Sequence, residues 1–411
     1  MISLLHTATF IILIVPILMA AYLLFLTVSA WLVTAFSKQS DVGQDNTFLF
    51  VIPAHNEESL LPVTLKNLFT DIDYDSSKYE VVIIADNCTD STAAKAREFD
   101  ATVLERFHDT LKGKGYALEW GLAECWKAGK NPDAVIILDA DTIVSANFLK
   151  AISANLNKGH RVIQSFYSVL NPAESWSAGL RYAALSVLHF VRPQGRRIYG
   201  GSAGLKGNGM VFATEVIKNH QWSASLTEDI EFHMDLLLSG TKVHFAPNAI
   251  VWAEMPNSID DANSQNERWE TGRIEMAKKY VPKLIGSALR PGSHSKGNAI
   301  AKLDAVMEHI IPPFALFNGL SLALLVVSAV LFFFDGTNSF AIRNLYGALF
   351  IIAVQIIYLI SGLVLTKAPF AVYKNLLYAP FYVLWKLLLV FRIFTKESDD
   401  SWIRTARNEG S

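Results

Sequence analysis

Three acidic clusters follow short apolar runs in this 411-residue chain. They are Pro53-Ala54-His55-Asn56-Glu57-Glu58, Asp86-Asn87-Cys88-Thr89-Asp90 and Asp139-Ala140-Asp141-Thr142. In the third, carboxylates at i and i+2 flank a turn, where two hard oxygens can meet one divalent cation that keeps waters and takes diphosphate oxygens. Further on, Thr227-Glu228-Asp229 opens a helical stretch over Ile230–Leu238, and an acid there either caps the helix or takes a proton from a reacting hydroxyl. A single Asp after a strand is more often a cap. Clusters at consecutive strand ends point instead to a binding edge.

The elements that must carry these residues are legible in the apolar runs. Phe48–Ile52, Glu80–Ala85, Thr102–Leu104 and Ala134–Leu138 are short and β-branched, as strands buried on both faces are. Glu57–Phe69, Ser91–Phe99 and Gly115–Ala128 have helical patterning, with Ser59 and Asp90 or Ser91 as expected N-caps. The pattern predicts a parallel, right-handed βαβ sheet, whose ligands bind beyond the carboxyl ends of the strands. The glycine-rich stretch Gly200–Gly209 lacks the strand–GxGxxG–helix setting of a dinucleotide fold and reads as a close-approach loop near substrate.

The rest of the chain belongs to a membrane. Hydrophobic residues make up 51% and charged residues 18%, and the mean hydropathy is +0.28. Thr7–Ser37 holds no charge, and its apolar core Phe10–Phe36 exceeds the roughly 20 residues that a crossing helix needs. That core is too long for a signal peptide, and no A-x-A site follows it. Ile310–Phe334 and Asn344–Thr366 form an expected transmembrane hairpin joined by Asp335–Arg343. Pro369–Phe394 carries Lys374, Pro380, Lys386 and Arg392, which suits an interfacial or re-entrant helix better than a span. Ala173–Val191 reads as an amphipathic helix, either core or interfacial.

Lys367, Lys374, Lys396, Arg404 and Arg407 outnumber Arg343, which puts the hairpin tip outside and Lys38–His309 in the cytoplasm. Cys88 and Cys125 suit a reducing compartment and have no zinc-ligand spacing. The net charge of −2 gives no footprint for nucleic acid. A transporter is disfavoured because the spans hold almost no charge.

Taken in order, VIPAHNEE (51–58), ADNCTD (85–90), LDADT (138–142), TED (227–229) and QNERW (265–269) resemble the motifs of family 2 glycosyltransferases with the GT-A fold. The nearest likeness is to the membrane-integrated synthases related to cellulose, chitin and hyaluronan synthases. The resemblance implies an α/β, Rossmann-like, mostly parallel GT-A domain set between transmembrane helices. It implies that Pro53, Glu57, Asp86 and Lys114 bind the nucleoside side of a UDP-sugar, and that Asp139 and Asp141 hold Mg2+ or Mn2+. It makes Asp229 the general base, with Glu228 beside it near the acceptor. It sets Arg268 against the diphosphate, and Gln265 and Trp269 against the acceptor sugar.

The expected organisation is an N-terminal span at 1–37, a cytoplasmic GT-A domain at 38–307, a hairpin at 308–366 and a tail at 367–411. The expected function is inverting transfer to a growing polysaccharide at the plasma (inner) membrane, amid membrane lipids, with a homo-oligomer or an export partner supplying further crossings. The alternatives are transfer of one sugar to a lipid-linked acceptor and an inactive sugar-nucleotide sensor. For the orientation, an impermeant maleimide outside intact cells should miss Cys88 and Cys125, and labelling from outside would reverse it.

Overall fold

The computed structural model describes residues 2–37, 45–222, 225, 227–255, 263–290 and 296–395. After α1 (Ile2–Phe36), the apolar runs form β1 (Phe48–Ala54), β2 (Tyr79–Asp86), β3 (Thr102–Arg106) and β4 (Ala134–Ile137). Between them lie α2 (Leu61–Thr70), α3 (Thr92–Ala96) and α4 (Lys114–Lys127). The four strands pair in parallel in the order β3-β2-β1-β4. Successive residues of β1 enter opposite cores: Phe48, Phe50 and Ile52 pack with Leu61 and Leu65, whereas Leu49 and Val51 pack with Leu118 and Leu122. Burial on both faces is why these strands are uniformly apolar.

One expected helix cap fails and, of two alternatives at another helix, one is selected. α2 begins at Leu61 because Glu57 to Leu60 form a turn, in which the Glu57 carbonyl accepts the amides of Leu60 and Leu61. Ser59 is therefore not its cap. Pro62 sits in the first turn, where its missing N–H is no loss. Before α3 the side chain that caps is Asp90, whose Oδ1 accepts the Thr92 amide at 3.0 Å.

Beyond β4 come β5 (Thr142–Val144), α5 (Phe148–Asn157), β6 (Val162–Val169), α6 (Trp176–Leu185), α7 (Arg192–Arg196), β7 (Met210–Ala213), α8 (Thr214–Ile217), α9 (Glu228–Ser239) and β8 (His244–Ala253). The eight-stranded order is β3-β2-β1-β4-β7-β6-β8-β5. The sheet is mostly parallel, as expected, and β6 and β8 also pair in parallel, but β7 is antiparallel to β4 and β6, and β5 to β8. The physical reason is the glycine-rich loop. It delivers the chain to the carboxyl end of β4, where Met210 pairs with Ile137, so β7 must run back.

Four further elements precede the tail: α10 (Asn263–Leu289), α11 (Lys296–Ile310), α12 (Phe314–Phe334) and α13 (Ser339–Leu365). Helices α1, α12 and α13 are long and apolar enough to cross a membrane. α13 starts five residues earlier than its apolar run, because Asn338 Oδ1 caps the Phe340 amide at 2.9 Å. The final stretch divides into α14 (Phe370–Asn375) and α15 (Ala379–Thr395). In α15, buried Lys386 donates to Asn266 and Glu270 of α10 at 2.7 and 3.2 Å, which ties the two helices together.

Between the two halves lies the amphipathic 173–191 segment, as α6 followed by a π-helical turn at Ser186–Val191. It is core and junction at once. Ala178 and Tyr182 join the sheet's core, whereas Val187 and Val191 pack with Leu23 of α1 and Tyr358 of α13. Of the two free thiols, Cys125 is buried and Cys88 half-buried, so the labelling experiment rests on Cys88.

Gly209 ends the loop with φ +64°, and a Cβ there would lie 2.0 Å from Ser165 Oγ and 2.9 Å from a Val251 methyl. Gly129 has a similar φ of +78° with open space around it. Gly209→Ala should therefore destabilise by about 2–4 kcal/mol, from strain plus overpacking, and Gly129→Ala by strain alone. Thermal midpoints of the two variants should rank in that order.

Candidate active site

The first two strand-end clusters are laced together. Asn56 and Asn87 both take the left-handed conformation, at φ 55° and 52°, which Asn tolerates better than most residues. Asn56 Oδ1 accepts the Thr89 amide at 2.7 Å, and its Nδ2 donates to Thr89 Oγ1 at 3.2 Å. Glu58 Oε2 accepts the Ser91 amide, while Asp90 Oδ2 accepts the Glu58 amide. The Glu57 amide donates to Thr92 Oγ1 at 2.7 Å. These exchanges satisfy backbone groups that the turns leave unpaired and fix Pro53, Glu57 and Asp86 relative to one another. Asp86 is buried and carries a partner that sequence reasoning missed: Arg106, at the end of β3, donates to its Oδ1.

Lys114 is the hinge pin of the next group. Set in the first turn of α4, its ammonium donates to Asp139 Oδ1 and to the Gly207 carbonyl, each at 2.6 Å. Burial alone would lower the Lys114 pKa, but Asp139, Glu228 and Asp229 around it raise it. The Asp139 amide donates to Asn208 Oδ1, and Asn208 Nδ2 donates to Thr142 Oγ1 at 2.8 Å, so the glycine-rich loop clamps the Asp139–Asp141 turn. Gln164 of β6 holds the loop in turn, through the Lys206 amide and the Asn208 carbonyl.

Glu228 and Asp229 occupy the first turn of α9. Burial pushes Glu228 up to about 7, with Lys114 opposing and Asp229 reinforcing. Asp229 is raised by burial too, against the Ile230 amide, Lys114 and Lys206, which favour its ionised form. The glycine-rich loop neighbours this turn: a Cβ on Gly207 would lie 3.4 Å from Asp229 Oδ2.

The three clusters and the first turn of α9 border one cavity of about 1190 Å³. That exceeds the roughly 300–1,000 Å³ of a site for one small ligand. Pro53, Glu57, Asp86, Lys114, Asp139 and Asp141 lie at the strand edge, and Glu228, Asp229 and Trp269 border the same space. On α10, Asn266, Trp269, Glu270 and Arg273 share one helical face toward it. The side chains of Gln265 and Arg268 lie outside the described residues.

Asp139 and Asp141 offer hard carboxylate oxygens on the cavity wall. Among the described residues, no group of three His, Cys, Asp or Glu would complete a metal cage. This donor set fits a divalent ion that shares its shell with diphosphate oxygens and water, which is how small hard cations are commonly held.

Sequence reasoning also missed the cavity's far end. Arg192 and Arg196 of α7, Lys206 of the loop, and Asp304 and Glu308 of α11 line it. Arg196 meets Asp304 at 2.7 Å and Glu308 at 2.5 Å; Arg192 and Lys206 meet Glu308 at 3.4 and 3.6 Å. Burial alone would raise the Glu308 pKa, but Arg196, Arg192 and Lys206 hold it well below the usual carboxylate range. The available signal was two arginines one turn apart on a buried helix and an acidic i, i+4 pair on α11.

Comparison with known proteins places this geometry. Among curated proteins, the probable glycosyltransferase YdaM of Bacillus subtilis (strain 168) is 26% identical over 246 residues, covering 57% of each chain. The poly-beta-1,6-N-acetyl-D-glucosamine synthase of Staphylococcus aureus (strain COL) is 25% identical over 257 residues, 59% of this chain and 58% of that one. The chain thus matches little more than half the length of these relatives. The mannosyltransferase PcManGT from Pyrobaculum calidifontis, solved with GDP-Man and Mn2+, shares the fold at a TM-score of 0.51 and 17% identity. That alignment covers 87% of this chain and 98% of that one. A family model for glycosyltransferase like family 2 matches residues 45–272, more than half of the chain, and the chain belongs to that family.

Proposed function

We propose that this protein transfers a sugar, with inversion, from a nucleotide-sugar to a hydroxyl of a saccharide acceptor presented from the membrane side. The observation that carries the reading is the single cavity. One end holds the carboxylates at the strand edge, and the other reaches Phe314, Ala315 and Asn318 in the first turns of α12. In this reading residues 1–37 and 308–366 sit in the inner membrane, 38–307 form the cytoplasmic catalytic domain, and 367–411 lie at the interface.

The chemistry assigns work to each residue. Pro53, Glu57 and Asp86 receive the nucleoside, with Asp86 kept in place by Arg106. Asp139 and Asp141 would hold a divalent cation, which when bound would neutralise charge on the departing diphosphate. Lys114, fixed by Asp139 and Gly207, adds positive charge that needs no reorganisation during the reaction. Asp229 takes the acceptor hydroxyl's proton as that oxygen attacks the anomeric carbon, and attack opposite the diphosphate inverts the centre. Glu228, with its raised pKa, takes up a proton more readily than an exposed carboxylate and borders the acceptor. Gln265 and Arg268 keep the acceptor and diphosphate roles that the family motif assigns them.

Trp269 favours a growing saccharide as acceptor, since a half-exposed indole on the cavity wall can stack on a sugar without fixing its hydroxyl pattern. A second reading, one sugar added to a lipid-linked acceptor, is favoured by where the cavity ends. Its α12 lining stops at Asn318, four residues from Phe314 and about 6 Å along the helix axis, far short of crossing a membrane.

The test is turnover of the full chain, reconstituted in lipid with Mg2+ or Mn2+, against a panel of nucleotide-sugars, with products sized by mass spectrometry. Donor-dependent product is expected, and Asp229→Asn should lower turnover by roughly 10²-fold or more while nucleotide binding survives. Nucleotide binding without turnover on any donor would mark a sugar-nucleotide sensor. Trp269→Ala should leave nucleotide affinity nearly unchanged and depress transfer to the saccharide, shortening any polymer. Loss of membrane attachment with intact transfer in detergent would make Trp269 an interface anchor instead.

A further inference from the structure

The cavity changes chemistry along its length. At the strand edge Glu57, Asp86, Asp139, Asp141, Glu228 and Asp229 face Lys112 and Lys114, so acids are in excess. At the membrane end the balance reverses. Arg192, Arg196 and Lys206 meet Glu308, Arg196 also meets Asp304, and Arg273 and Lys386 meet Glu270 at 3.5 and 3.2 Å. Among the described residues, five cations in this ion-paired cluster thus share three carboxylates, with Asp229 also acting on Lys206. Arg192, Arg196 and Lys386 are buried, and a positive excess held out of water is costly unless another anion joins it.

Two neighbouring features describe that anion. His309 lines the same end, is 8% exposed, and has neither ring nitrogen hydrogen-bonded among the described residues. Burial pushes its pKa down to about 4, so near neutrality it presents one donor and one acceptor. Much of the remaining wall is apolar: Leu185 of α6, Leu188 of the π-helical turn, Phe314 from α12, Leu359 from α13, and Leu376 and Val383 from the tail, with Arg181, His189, Glu254, Asn318 and Tyr382 among them. A group seated here therefore has cations and His309 on one side and hydrocarbon on the other, at the level where the apolar helices begin.

Free phosphate would match the cations and leave the apolar wall unused, while an uncharged lipid would match the wall and leave the charge excess unmet. Arginine is well suited to the first part of the task, because its planar fork meets phosphate oxygens two at a time. We infer that the membrane-side lobe binds the phosphate headgroup of a long-chain lipid acceptor, with Arg192, Arg196, Lys206 and Arg273 on the phosphate and the apolar wall on the start of the chain. This rests on the transferase reading and names the acceptor class for it. Lys206 adjoins Gly207, where a Cβ would come within 3.4 Å of Asp229 Oδ2, which sets the headgroup site beside the proposed base.

The experiment uses the full chain in nanodiscs of neutral phosphatidylcholine, doped with hexadecyl phosphate or hexadecanol, or supplied with inorganic phosphate. Thermal stabilisation is the readout. Hexadecyl phosphate should stabilise the protein in a saturable manner, and the other two should not. Arg273→Gln should raise the half-saturating amount about tenfold, the loss of one hydrogen bond to a charged group. Arg273→Lys, which keeps the charge, should raise it less, and exposed Lys374→Gln should leave it unchanged. If Arg273→Gln does not fold, Lys206→Gln tests the same collar.

Equal stabilisation by hexadecanol would reduce the lobe to an apolar groove, and equal stabilisation by inorganic phosphate would make it a free-anion site. An effect of Lys374→Gln as large as that of Arg273→Gln would assign the response to membrane surface charge. Each of these overturns the inference. Donor turnover measured on the same samples separates the two readings. Turnover without a hexadecyl phosphate response overturns only the lipid-phosphate site, and the response without turnover on any donor overturns only the transferase.

Discussion

Charges taken out of water must be paired, and in this protein that requirement joins the α/β sheet domain to the long apolar helices. Arg196 of α7 lies between Asp304 and Glu308 of α11, and Tyr22 of α1 and Tyr199 both donate to Asp304. Arg192, one turn earlier, holds the Tyr358 hydroxyl of α13 at 2.8 Å. Removing one partner from such a buried set costs about 3–5 kcal/mol, whereas sliding the helices past one another would break several at once. The network therefore fixes where the apolar helices stand relative to the sheet. Everything on the cavity's membrane side inherits its position from that.

A different kind of bonding organises the strand edge. There, short polar side chains close the loops on one another, Asn56 with Thr89, Glu58 with Asp90 and Ser91, and Asn208 with Asp139 and Thr142. These bonds satisfy backbone amides and leave the carboxylates of the edge on the cavity wall. Lys114 then crosses from α4 to both the Asp139 turn and the glycine-rich loop, so three separate stretches of chain share one ammonium. Preorganised charge of this kind is what a reaction that expels a diphosphate requires.

The two halves of the cavity meet at Lys206 and Gly207. Gly207 gives its carbonyl to Lys114 and packs against Asp229, while Lys206 turns to Glu308. One dipeptide thus touches both the strand edge and the Arg192–Arg196–Glu308 cluster.

Much of the strand edge was legible in the sequence, because strands buried on both faces must be apolar runs and a change to polar residues marks where each ends. Phe48–Ile52 followed by Pro53–Glu58, and Ala134–Leu138 followed by Asp139–Asp141, carry their meaning locally. The long uncharged helices were legible for the same reason, since a bilayer-crossing segment must be apolar over its whole length. What sequence could not supply were contacts between residues far apart in the chain. Arg106 on Asp86, Asn208 on the Asp139 turn, and the convergence of Arg192, Arg196, Lys206, Asp304 and Glu308 depend on which elements pack together. Strand direction was hidden likewise, because β7 is as apolar as β4 and only the loop that returns it to the carboxyl edge makes it antiparallel. Local pattern sets what each segment must become, and the pairing of buried charges and backbone groups across segments, decided only on folding, sets where the chemistry sits.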